Sequence, residues 1–191
     1  MYILSVDTTA KTAAAAISEF DGEKVFPPCI SQLNITLTHS ESILPMIDFC
    51  LKNASVDISD VDVIAISEGP GSFTGVRIGI ATVKGLGLAS TKKLVSVNTF
   101  EILAYNTQEQ VTTLVPDNRG FYCQNFVDGV AVDEEQHIEQ MPQTNKAVIF
   151  DNEVDYSANF VGLVDSKIAK GDFAQTLLPL YVRKSHAEEN K

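Results

Sequence analysis

One stretch of the sequence decides how the rest is interpreted: Glu68-Gly69-Pro70-Gly71-Ser72-Phe73-Thr74-Gly75-Val76-Arg77-Ile78-Gly79. The apolar run before it, 61–67, predicts a buried strand, and residues 74–90 after it predict a helix. A glycine-rich loop at such a junction would offer free backbone N–H groups and the positive end of the helix dipole to an anion. It would serve equally well as a tight turn whose glycines benefit only the backbone. The sequence leaves both interpretations open.

The loop matches neither of the common phosphate-binding motifs. Thr74 stands where a dinucleotide fingerprint needs its third glycine, and the chain has no Gly-Lys-Ser/Thr triplet of a P-loop. Nucleotide binding at this loop is therefore not predicted from motif chemistry.

The elements around the loop follow the order βββαβαβα over the first 106 residues. Two helix starts carry capping boxes, Thr38 with Glu41 and Asn98 with Glu101. The predicted strands are 2–7, 13–18, one within 31–36, 61–67 and 94–97, and the helices begin near Thr38, Thr74 and Asn98.

The pattern then partly restarts. Predicted strands at 111–116, 120–127, 130–134 and 147–150 precede a helix at 155–169 and an extended tail at 177–183. A β-meander that leads into alternating α and β units, twice over, predicts an α/β protein of two tandem ribonuclease-H-like lobes, as in actin, Hsp70 and the sugar kinases. We expect one lobe at 1–106 and a second, shortened lobe at 107–191.

Glycines recur in the helix after the loop, although each costs about 1 kcal/mol against alanine in a helix interior. Gly75, Gly79, Thr82 and Leu86 share one stripe at 100° per residue. The stripe packs either on the lobe's own sheet or on a helix of another subunit. If it is a subunit seam, Gly79→Leu leaves the chain folded and abolishes pairing; if it packs on the sheet, the substitution unfolds the chain.

The quoted stretch resembles the GPGSFTGLRIG signature of the TsaB/YeaZ family. Asp117-Asn118-Arg119-Gly120 fits the family's Asp-Ala-Arg-(Arg/Met)-Gly loop less well, because it has one residue fewer. The resemblance is dense over residues 1–105 and thin from about 128 to 175. Three further stretches agree with the family: 4–9, 39–45 and 179–183.

The resemblance implies a scaffold that pairs with the catalytic protein TsaD, which transfers threonylcarbamoyl to the adenosine beside the anticodon of tRNAs that read codons beginning with A. A TsaE-like ATPase joins the pair, and a homodimer is the other expected assembly. The resemblance places pairing on the two helices, and Met46 and Phe49 lie beside the core stripe of the first. The expected interface residues are His39, Ser42, Ile43, Met46, Phe49, Gly75, Gly79, Thr82 and Leu86.

The turns that hold phosphate in actin-like ATPases are degenerate here. The first, which includes Asp7, Thr8 and Thr9, has no glycine, so side chains occupy the space where phosphate would approach the backbone. The second keeps only Gly120, with Arg119 beside it and Asp117 before it. We expect no cofactor in the isolated chain, and saturable nucleotide hydrolysis would instead indicate the alternative, a small ATPase or sugar kinase.

The three histidines argue against a metallopeptidase, which is a further alternative. His39, His137 and His186 are far apart, and no His-x-x-x-His or His-Glu-x-x-His motif occurs. We expect no catalytic residue and no metal, and place His137 and His186 on the surface.

A formal net charge of −11 opposes direct binding of nucleic acid. We therefore expect tRNA to reach this chain only through a complex. The longest apolar runs are too short to cross a bilayer and no basic leader precedes the first strand, so we expect a cytoplasmic protein with no membrane partner.

Overall fold

The computed structural model describes residues 1–10, 13–20, 29–33, 39–88, 91–144, 146–150 and 156–182. Five strands form a first sheet: β1 (Tyr2–Asp7), β2 (Ala13–Glu19), β3 (Cys29–Leu33), β4 (Val61–Ser67) and β5 (Lys93–Val97). Their order is β3-β2-β1-β4-β5, in which β1, β4 and β5 run parallel and β2 is antiparallel to its neighbours. This is the predicted ribonuclease-H-like arrangement.

Helix α1 (His39–Ala54) connects β3 to β4, α2 (Phe73–Leu88) connects β4 to β5, and α3 (Thr99–Ala104) follows β5. The predicted box at the start of α3 is confirmed, because the Asn98 side chain accepts from the Glu101 N–H at 2.8 Å and the Glu101 carboxylate accepts from the Asn98 N–H at 3.0 Å. The predicted box partner Thr38 lies outside the described residues.

A second sheet follows, with order β10-β6-β7-β8 and β9 paired to β7. It confirms the predicted restart, although the third strand is shorter than expected and β9 was not predicted. Its strands are β6 (Gln110–Asp117), β7 (Gly120–Val127), β8 (Val130–Ala131), β9 (Gln136–Ile138) and β10 (Ala147–Ile149), and helix α4 (Tyr156–Ala169) comes last.

The two faces of the first sheet have separate cores. Because strand side chains alternate between faces, Leu4 and Ile66 pack under α1 and α2, while Ile3 and Ala65 pack under α3 and α4. Helix α4 follows the second sheet in the chain but packs on the first, with Phe160, Val164 and Ile168 in its core. A third core joins α3 to β6 and β7.

Candidate functional site: the motif loop and the outer face of α1 and α2

The motif loop, residues 68–72, closes directly onto the turn after β1. The Ser72 N–H donates to the Thr9 carbonyl at 2.6 Å, and Thr8 Oγ1 donates to the Gly75 carbonyl at 2.7 Å. The Thr9 N–H donates to the Asp7 carboxylate at 2.8 Å. A Cβ on Gly71 would collide with the Thr9 carbonyl oxygen, so only glycine permits this approach. The backbone N–H and carbonyl of Thr9 are thus committed to internal hydrogen bonds.

The other side of the motif loop is held just as firmly. The Thr99 N–H and hydroxyl donate to the carbonyls of Gly69 at 2.8 Å and Pro70 at 2.7 Å. The Leu180 N–H of the tail donates to the Glu68 carbonyl at 2.8 Å. These contacts favour the tight-turn interpretation of the loop over an anion site.

The second degenerate turn is the β6–β7 hairpin, in which Asp117 pairs with Gly120 across the two-residue turn. The Asp117 carboxylate lies 3.3 Å from His137 Nε2, and this imidazole packs edge-on against Tyr122. Its side chain is only 16% exposed, so the surface position expected for His137 was wrong. His137 is partly buried because β9 pairs with β7, and no local sequence pattern predicts this pairing.

The glycine stripe of α2 faces the first sheet. Gly75 and Gly79 are both buried, and a Cβ on Gly79 would collide with Thr8 Oγ1 and lie 3.0 Å from Ile66 Cδ1. These two glycines therefore permit close packing within the chain, and the expectation that they face a partner was wrong.

The α1 residues of the expected interface include both buried and exposed side chains. Ser42, Ile43 and Met46 are 5%, 1% and 0% exposed, so the structure corrects their assignment to a surface. Met46 lies within the core stripe because α1 turns that side toward β2. Phe49 is 55% exposed, as a partner contact requires.

The remaining expected residues give no exposed interface. Thr82 is half-buried, and Leu86 packs against the core from its edge. His39 is the first residue of α1, and its side-chain surroundings lie outside the described residues.

A different apolar surface is exposed on the same two helices. We call it the outer face and define it by Leu44, Pro45 and Phe49 of α1 and Ala81 and Gly85 of α2. Leu44 and Phe49 are 54% and 55% exposed. Large apolar side chains beside small ones on adjacent helices form a surface that another helix can approach closely.

The side chain of Arg77 on α2 is held in place by two aromatic residues beside the outer face. The Arg77 guanidinium lies 3.8 Å from the Phe73 ring centroid and 5.6 Å from that of Tyr181, and its Nε donates to the Tyr181 hydroxyl at 2.8 Å. Both rings are about half exposed. Sequence reasoning had placed Arg77 in the motif, but the contact with Tyr181, 104 residues away, could not be read from it.

Two carboxyl groups carry raised pKa values. Burial raises the pKa of Glu68 at the end of β4, opposed by a hydrogen bond from Ser96 and the charge of Lys167. Burial also raises the pKa of Asp165 in α4 to about 6, and neither of its oxygens has a hydrogen-bond partner among the described residues. Asp165 was not predicted, because a single aspartate in an amphipathic helix is normally solvated.

Neither a metal cluster nor a membrane span occurs in the described ranges. No three histidine, cysteine, aspartate or glutamate side chains there are grouped as a metal ion would require. Of the helices described, none combines the length and apolar character needed to cross a bilayer.

Comparisons with known proteins find similarity to proteins of tRNA threonylcarbamoyladenosine biosynthesis. Residues 34–118 match the family model described as TsaD: tRNA N6-adenosine threonylcarbamoyltransferase. The tRNA threonylcarbamoyladenosine biosynthesis protein TsaB of Haemophilus influenzae is 39% identical over 84 residues, or 44% of this chain. TsaB of Escherichia coli is 36% identical over 88 residues. The matched segments span 34% and 35% of these curated relatives' own length.

The fold extends the likeness over nearly the whole chain. YeaZ from Pseudomonas aeruginosa superposes with a TM-score of 0.76 and covers 94% of this chain and 99% of its own, at 24% identity. The motif loop lies in its expected strand-to-helix position, and these matches make the chain similar to TsaB proteins over less than half of its length and to YeaZ in its fold.

Proposed function

We propose that this chain acts in tRNA threonylcarbamoyladenosine biosynthesis as a non-catalytic scaffold. In this role it pairs with a TsaD-like subunit that transfers threonylcarbamoyl to the adenosine beside the anticodon, and a TsaE-like ATPase joins the pair. The named relatives that match residues of this chain support the pathway. The two lobes, 1–106 and 107–191, are the proposed units of the scaffold.

The observation that carries the pairing is the exposed outer face. Leu44 and Phe49 are more than half exposed on α1, and the small residues Ala81 and Gly85 are exposed on α2, the helix that contacts α1. Apolar side chains held in this way gain roughly 25 cal/mol for each Å² of apolar surface that a partner removes from water. A helical partner that covers this face therefore gains free energy by removing its apolar surface from water.

The internal hydrogen bonds of the turn after β1 support the proposal that the chain is not catalytic. The contacts among Asp7, Thr9 and Ser72 occupy the groups that a phosphate would need. Ala10 of the same turn packs, with Leu180 and Val182 of the tail, against the core between α3 and the second sheet. Apolar packing therefore lies beside the turn that binds phosphate in actin-like ATPases.

The net charge of −11 supports a division of labour in the complex. An acidic scaffold steadies the catalytic subunit and leaves contact with tRNA phosphates to its partners. The outer face would serve a homodimer as well, so self-association and pairing with TsaD are expected to compete.

Calorimetric titration with the TsaD-like protein of the same organism tests the proposal. Phe49→Glu should abolish pairing, because it places a charge in the apolar contact, yet leave the fold intact because the side chain is exposed. Val130→Glu is the matched control, since Val130 is 67% exposed and lies on the second sheet, not on α1 or α2. Normal pairing by Phe49→Glu would show that the outer face is not the contact, and failure of the unaltered chain to bind would overturn the proposal.

A further inference from the structure

The cluster of Phe73, Arg77 and Tyr181 holds an arginine in a fixed orientation at the protein surface. Two aromatic rings stack on the guanidinium, and the Tyr181 hydroxyl takes its Nε–H. Both Nη atoms are without a hydrogen bond to any described residue, and no carboxylate in the described ranges pairs with Arg77. A guanidinium orientated in this way has already lost the side-chain freedom that binding would otherwise cost.

The contacts that Arg77 makes with described residues are those with Phe73 and Tyr181, and they leave its two Nη groups available. The side chain is exposed, and no described carboxylate neutralises its charge although the protein carries a net charge of −11. Arginine and tyrosine at the edge of an apolar surface are the residues that dominate the binding energy of protein interfaces.

The position of the cluster connects it to the outer face. Arg77, Ala81 and Gly85 follow one another at four-residue spacing and are all exposed, so they occupy one side of α2. Leu178 of the tail, 63% exposed, adds apolar surface near Tyr181. A partner seated on the outer face would therefore extend over Arg77.

We propose that the Phe73–Arg77–Tyr181 cluster binds a carboxylate of the protein that pairs through the outer face, with both oxygens accepting from the two Nη groups. This inference rests on the proposed function and names the chemistry that the partner presents. Bidentate pairing with a carboxylate uses the donors that the stacking leaves free.

A phosphate of RNA is disfavoured as the ligand. The acidic surface repels a polyanion, and the nearby Ser72 N–H, which a phosphate would use as a second donor, is committed to the Thr9 carbonyl. The apolar surroundings instead suit a carboxylate within a protein contact, where its pairing with Arg77 is shielded from water.

Titration calorimetry with the TsaD-like protein of the same organism tests the site. Arg77→Gln should raise the Kd about tenfold or more, and Arg77→Lys should do nearly the same, because lysine keeps the charge but loses the planar fork. Tyr181→Phe should have a smaller effect, since it keeps the ring and removes only the hydroxyl. Lys84→Gln, the same loss of charge two turns along α2, is the matched control and should change the Kd less than about threefold.

Hydrogen exchange of the Leu180 amide separates recognition from a structural role. This amide donates to the Glu68 carbonyl, so its protection reports that the tail stays in place in each variant. Reduced binding with unchanged protection supports the inference. A Kd that rises only when protection is lost, or a normal Kd for Arg77→Gln or Arg77→Lys, overturns it. If Phe49→Glu abolishes pairing while both Arg77 variants bind normally, this inference fails and the proposed function stands. If the unaltered chain does not bind, both fail.

Discussion

Helices α2 and α4 pack on opposite faces of the same sheet by different means. Helix α2 approaches through Gly79, which lies against Thr8 and Ile66, and the Thr8 hydroxyl completes the contact by donating to the Gly75 carbonyl. Helix α4 packs through the large apolar side chains Phe160, Val164 and Ile168.

The buried polar atoms at the two helices also differ in whether they are hydrogen-bonded. The Thr8 hydroxyl under α2 is hydrogen-bonded, whereas Asp165 of α4 is 7% exposed and neither of its oxygens has a partner in the part of the chain that the structure describes. The α2 face is therefore sensitive to added volume, and the α4 face is sensitive to charge. Each difference can be tested by one substitution.

The largest effect is expected for Gly79→Leu. The new side chain would have to displace Thr8 and Ile66, and overpacking of this kind costs about 3 kcal/mol or more when backbone must shift. The free energy of unfolding, measured by chemical denaturation, should fall by that amount or the chain should fail to fold. Ala81→Leu, on the exposed side of the same helix, is the control and should be nearly neutral. Equal stability of the two variants would show that the glycine side of α2 does not face the sheet.

A smaller effect, dependent on pH, is expected for Asp165→Asn. Burial raises the pKa of Asp165 from 3.8 to about 6, so the folded chain binds this proton more tightly than the unfolded chain. The stability linked to this group is present below about pH 4 and is lost as the pH rises through 6. Asparagine cannot ionise, so the variant should be more stable by about 2 kcal/mol at pH 8 and similar to the original chain at pH 4.

Two measurements check the Asp165 prediction. Denaturation curves at several pH values should diverge between pH 4 and 7, since all other acids titrate in both proteins. The charge of Asp165 also contributes to the raised pKa of Tyr105, after burial, so the variant should titrate its tyrosine at lower pH. A constant difference in stability across this pH range would mean that Asp165 is hydrated or paired in solution.

Local sequence patterns were sufficient for most of the first lobe. The strands β1, β4 and β5 are apolar runs bounded by polar residues, and Asn98 with Glu101 marks the start of α3 by chemistry that needs no tertiary contact. The ribonuclease-H-like order follows from the succession of these elements. The motif loop was placed correctly for the same reason.

The direction in which α2 faces could not be predicted in this way. Gly79 and the buried residues Val76 and Val83 lie within one arc of the helix, so the glycine stripe and the core stripe overlap. Which part of that arc meets the sheet depends on Thr8, which is 67 residues from Gly75. The His137–Asp117 pair and the burial of Asp165 depend on long-range contacts of the same kind.

The smallest effect is expected for Gly85→Ala, and it completes the comparison on the solvent side of α2. No atom of the described residues lies within 4 Å of the position that a Cβ on Gly85 would take, and the backbone there is helical, so alanine fits without strain. Alanine also has less conformational freedom to lose on folding than glycine, which should stabilise the chain by about 0.5–1 kcal/mol. The Tm should therefore rise by about 2–4 °C per kcal/mol for a domain of this size.

Gly79→Ala, the same change six residues earlier in the same helix, should instead lower the Tm, because its Cβ meets Thr8 and Ile66. If the two substitutions change the Tm in opposite directions, the inner and outer sides of α2 are established without any binding partner. If both change the Tm in the same direction, helix propensity alone decides the stability of α2.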